Sequence, residues 1–160
     1  MKTALVVIFA SMFSLACNQT TSPEVMPLAI SFTLADTTGA AISQTHVGEN
    51  FVLSFSLINT TPDTLTYGWA NSGPPVEFHI LQNDSTVATS VDGYVFLMYA
   101  PHATLPPGDT LRGRWVAPTT PVQSPKVVLA PGMYQARVFL PYFYEIKVDS
   151  IPSISFVVVP

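Results

Sequence analysis

Few residues in this chain are equipped for chemistry, and they do not gather into a reactive pattern. Histidine occurs at His46, His79 and His102, far apart in sequence, and none has a second ligand at metal-like spacing. His79 alternates with Phe78 and Ile80, which predicts an exposed strand position rather than a ligand. Asn83, Asp84 and Asp92 are close in sequence but lack the D-x-[DN]-x-[DN]-G order of a calcium loop. No serine stands in G-x-S-x-G, the acids are spread over turns, and no glycine-rich phosphate loop is present. The expectation is no catalytic residue, no metal, no cofactor and no enzyme activity.

Cys17, the single cysteine, follows a short apolar run. Residues Met1–Ala16 carry one lysine, an apolar stretch and Ser14-Leu15-Ala16, whose small residues suit an A-x-A-like cleavage site. The run is too short to cross a hydrocarbon core of roughly 30 Å. A thiol directly at the cut resembles a bacterial lipoprotein signal, which implies acylation of Cys17 and an anchor in a membrane of the cell envelope. Ordinary secretory cleavage is the alternative. Residues 17–27 are polar and rich in Ser, Thr and Pro, and are expected to form a flexible tether. One thiol cannot form a disulfide within the chain.

The elements that would position any site are strands. Residues 28–160 fall within the size of one domain. Fifteen scattered prolines exclude long helices and central strands at their positions, leaving short Val-, Phe-, Tyr- and Thr-rich pieces between them. Charged residues are only 10 %, with a net charge of −4 and no Lys/Arg cluster, which excludes nucleic acid as a partner. Alternation predicts strands at Leu28–Ala35, Phe51–Asn59, Thr64–Tyr67, Val76–Gln82, Thr86–Thr89, within Leu105–Trp115 and Leu129–Leu140, and at Ser153–Val159. Tyr94–Tyr99 is apolar on both faces and reads as a strand that is buried twice or meets something. Pro107-Gly108 and Pro131-Gly132 each suit a type II turn before a strand. Eight or nine strands in one domain predict an all-β, antiparallel, immunoglobulin-like β-sandwich.

The segments FVLSFSLINTT at Phe51–Thr61, VEFHI at Val76–Ile80, LPPGDTLRGRW at Leu105–Trp115 and LAPGMYQARV at Leu129–Val138 resemble the BsuPI domain. That family is named for a bacterial intracellular proteinase inhibitor. The resemblance covers about 90 residues in order; it implies an immunoglobulin-like sandwich and a module that binds a protease, here an envelope or extracellular one.

What remains for function is contact with a partner protein. Trp69, Pro74 and Pro75 in one segment, and Tyr142, Phe143 and Tyr144 in another, set aromatics beside prolines in expected loops. Rigid aromatics give contact area at low entropy cost, although the same residues could plug the ends of a sandwich. Arg112 and Arg114 share a strand face, suited to acids of a partner or simply solvated. The reading is an exported, lipid-anchored sandwich acting by protein–protein interaction as a protease-inhibitor-like module. The alternatives are a non-inhibitory accessory or structural envelope domain, and carbohydrate binding through Trp69 or Tyr144.

Overall fold

The computed structural model describes residues 28–148, 151 and 153–160. The signal at 1–16, the tether at 17–27 and Cys17 lie outside the described residues. Alternating apolar residues build β1 (Leu28–Asp36) and β3 (Phe51–Asn59). They pair antiparallel with Ile30 opposite Leu57, Phe32 opposite Phe55 and Leu34 opposite Leu53, so one face of both strands is apolar. β8 (Thr110–Ala117) adds to the other edge of β3, giving a sheet of order β1-β3-β8.

A second sheet packs across from it. Its order is β2-β11-β9-β5-β6, built from β2 (Gln44–His46), β5 (Glu77–Gln82), β6 (Ser85–Thr89), β9 (Gly132–Phe139) and β11 (Ile154–Val159). Phe51 meets Phe156 at 5.1 Å between ring centres, and Phe32 meets Phe78 at 6.1 Å. These ring pairs join the two layers, and the shared core includes Leu53, Leu57, Ile80, Ala136 and Val138. The described residues thus form an all-β sandwich without a helix. Tyr134, at the start of β9, donates its hydroxyl to the Ala130 carbonyl at 2.8 Å, a tyrosine reaching back a few residues as immunoglobulin-like sandwiches do. A third, small sheet has the order β10-β4-β7, from β4 (Leu65–Gly68), β7 (His102–Leu105) and β10 (Tyr142–Phe143).

Several expectations need correction. Eleven strands form among the described residues, more than eight or nine, because β2, β7 and β10 are too short to show a period. The pairing is not wholly antiparallel, since β2 runs parallel to β11. Pro107-Gly108 makes the expected turn, with Gly108 at φ 76° and the Asp109 amide donating to the Pro106 carbonyl. Pro131-Gly132 does not: Gly132 is extended at φ 159° and opens β9. Asn83 and Asp84 both have positive φ, 50° and 60°, as a two-residue hairpin turn between β5 and β6 requires.

The largest departure is Tyr94–Tyr99, which is a loop. Gly93 at φ 80° precedes it and Pro101, which has no amide donor, follows; the residues between them pair with no strand. Val95 is 98 % exposed, Leu97 72 % and Met98 90 %. Two bonds fix the loop to its neighbour: the Leu97 amide donates to Ser72 Oγ at 2.8 Å, and the Ser72 amide donates to the Leu97 carbonyl at 3.0 Å.

Candidate partner-binding site

The two aromatic–proline segments, 73 residues apart at Trp69 and Tyr142, come together through backbone pairing. Tyr142 pairs with Gly68 and Phe143 with Tyr67, because β10 adds to the edge of β4. Strand alternation then divides their side chains. Phe143 and Tyr67 turn inward, 5.5 Å apart, and belong to the core. Phe143 is therefore corrected from a partner-binding residue to a packing one. Tyr142 and Tyr144 stay about half exposed.

Trp69, Pro74, Pro75 and Tyr142 line one open cavity of about 320 Å³, joined by Glu77 and Phe139. Trp69 stacks on Tyr67 at 5.8 Å, and its indole N–H donates to the Gly73 carbonyl at 2.8 Å. Its ring is thus held in place, with one edge left for contact. Gly68 is needed beneath this surface: a Cβ there would meet the Tyr142 hydroxyl at 2.8 Å and His102 Nδ1 at 2.9 Å. The Tyr144 hydroxyl lies 2.9 Å from His102 Nδ1 and donates to the Tyr142 hydroxyl at 3.1 Å. That bond to Tyr142 is the main reason the Tyr144 phenol is held above its ordinary pKa. The Tyr144 phenol thus stays protonated and donates its hydrogen bond at neutral pH.

The other singled-out groups are separate. His79 is half-buried rather than exposed, because Phe139 across the sheet covers it at 4.1 Å. Desolvation lowers its pKa, while Glu77 and Asp92 act in the opposite direction. Asp92 takes hydrogen bonds from the Thr89 amide and hydroxyl, and Asp84 sits in the hairpin turn near Arg137. Among the described residues no group of three His, Cys, Asp or Glu could hold a metal ion. Arg112 and Arg114 both project outward from β8, as their spacing predicts.

Sequence reasoning missed the Tyr94–Tyr99 loop as part of this region. Its bonds to Ser72 attach it to the Trp69–Pro75 segment, and Phe96 approaches Gly73. Its apolar run between Gly93 and Pro101 was a usable signal for an exposed contact loop.

No family model matches the chain, and no curated protein matches it. Among solved structures, β-glucosidases from Listeria innocua and Erythrobacter marinus superpose with TM-scores of 0.43 and 0.41, each at 11 % identity. Each superposition covers 82 % of this chain, which spans only 16 % of the length of either enzyme.

Proposed function

We propose that this chain is an exported, lipid-anchored β-sandwich that works by protein–protein interaction, in the manner of a proteinase inhibitor whose loop occupies a protease cleft. The observation that carries this reading is the exposed apolar loop at Tyr94–Tyr99. Contiguous apolar side chains left in water mark contact surfaces, since burying them against a partner is favourable. The loop is tied to Ser72 by two bonds, so less freedom is lost on docking.

Its position also favours a partner over a bilayer. The described chain begins at Leu28, opposite Asn59. The loop departs near Asp92, whose carbonyl accepts from Thr120 Oγ1, three residues beyond Ala117. Ala117 pairs with Phe51, at the other end of the β3 ladder. An anchor at Cys17 would hold the Leu28 end toward the membrane and the loop away from it. The BsuPI-like segments supply the inhibitor class, and the exposed Leu97 and Met98 suit a protease that prefers apolar side chains.

The test is incubation of the purified protein with a panel of envelope and extracellular serine proteases. Inhibition of an apolar-specific protease is expected. It should be lost in the double variant Leu97→Ser, Met98→Ser, whose thermal midpoint stays at the parent value because both side chains are exposed. Undiminished proteolysis across the panel would overturn the inhibitor reading. Radioactive palmitate should label the parent and not Cys17→Ala; equal labelling would remove the anchor.

A further inference from the structure

β8 is an edge strand, paired with β3 alone. On its free side lies a cavity of about 690 Å³, within the usual range for ligand sites. Five successive residues of β8, Arg112 to Val116, line it. Successive strand residues point to opposite faces, so five in a row share one cavity only when it runs along the strand's edge. That edge presents backbone donors and acceptors with no neighbouring strand. Pro74 and Pro75 form part of the wall, and proline has no amide with which to answer them.

The groove is electropositive in an acidic chain. Arg112, Arg114 and Lys126 line it, three of the six Lys and Arg residues in a sequence of net charge −4. No aspartate or glutamate lines it. The ion pairs among the described residues use His46, His79 and Arg137, leaving these three cations unpaired. Trp115 also lines the groove, 6 % exposed, and its indole Nε1 has no hydrogen-bond partner. Buried donors are nearly always satisfied, so an orphan here points to a missing acceptor.

We propose that this groove receives an extended acidic peptide segment of a partner protein, added as a new strand on β8. Strand addition supplies backbone bonds along the edge, and side chains two residues apart share a face. Two carboxylates at that spacing would meet Arg112 and Arg114. A second copy of this chain is disfavoured as the occupant, because antiparallel pairing of two such edges would bring arginines toward each other. The groove meets the inhibitor loop only at Tyr94, and neither Leu97 nor Met98 lines it, so the two readings fail separately: Leu97→Ser, Met98→Ser leaves peptide binding intact.

The experiment is fluorescence anisotropy of the purified protein with a labelled peptide of about ten residues alternating glutamate and valine, a usual upper strand length. Saturable binding is expected, with hydrogen exchange slowed in β8. Replacing glutamate by lysine should abolish binding. The variant Arg112→Gln, Arg114→Gln, altered only at exposed side chains, should bind about tenfold more weakly. Equal binding of the lysine peptide, or no loss in the double variant, would overturn the proposal. So would equal binding of a backbone N-methylated peptide or of alginate, since either would show charge attraction without strand addition. Dimerisation of the protein that the peptide cannot displace would also overturn it, by giving the edge to a second copy.

Discussion

A fully buried amide survives in a core only when its donors and acceptors are answered, and Asn59 is such a residue, at 0 % exposure. Its Nδ2 donates to the carbonyls of Asp63 and Leu105 at 2.7 and 2.8 Å, while its Oδ1 accepts from the Thr61 amide and hydroxyl. Asn59→Ala should cost about 2–4 kcal/mol in urea unfolding, because several buried groups lose partners together. A loss below roughly 0.5 kcal/mol would mean that water replaces the side chain. The Asn-Thr-Thr-Pro-Asp run from Asn59 to Asp63 carries turn-forming residue types, whereas the bond to Leu105, 46 residues away, leaves no mark in the sequence. His79 makes a pH prediction. Burial holds its folded pKa below the ordinary 6.5, so the unfolded chain takes up the proton more readily. Stability is then full above the ordinary value and declines as pH falls through it. Unfolding midpoints should drop between about pH 7 and pH 5, and His79→Gln should flatten that slope. Parallel profiles for parent and variant would show that other groups set the dependence.

Strands with strict alternation were readable because one buried face leaves a period of two in the sequence. β1, β3, β5 and β9 carry that mark, and Val76, Phe78 and Ile80 are buried together as it requires. β2 and β10 carry no such mark; they exist because a neighbouring strand offers an edge. Tyr94–Tyr99 misled for the opposite reason: apolar residues on both faces select neither face, and Gly93 and Pro101 cut the segment off from any ladder. Gly113 shows how packing between strands overrides local preference. In a strand, Gly→Ala should stabilise by roughly 0.5–1 kcal/mol. Here a Cβ would meet Val76 Cγ1 at 2.5 Å and Phe78 Cζ at 3.0 Å, both buried, Phe78 in the facing sheet and Val76 just before its strand. Gly113→Ala should therefore destabilise by about 1–3 kcal/mol in thermal or urea melts. Neutral or increased stability would show that the layers can separate slightly.

For the molecule as a whole, fold class was the most legible property, since proline spacing and alternation leave a sandwich as the natural way to bury so much apolar surface. The candidate site was half legible. Trp69, Pro74, Pro75 and Tyr142 do meet around one cavity, but β10 pairing, which brings them there, has no local signature. Arg112 and Arg114 were visible as a pair, with Trp115 beside them in β8; Lys126 joined them only through the path of the chain after β8. Pro74 and Pro75 have a further consequence, for they border both the aromatic hollow and the cationic groove. A stiff partition two residues thick stands between two sockets of opposite character. A guest seated in either one leans on the wall of the other, so their affinities should be measured together.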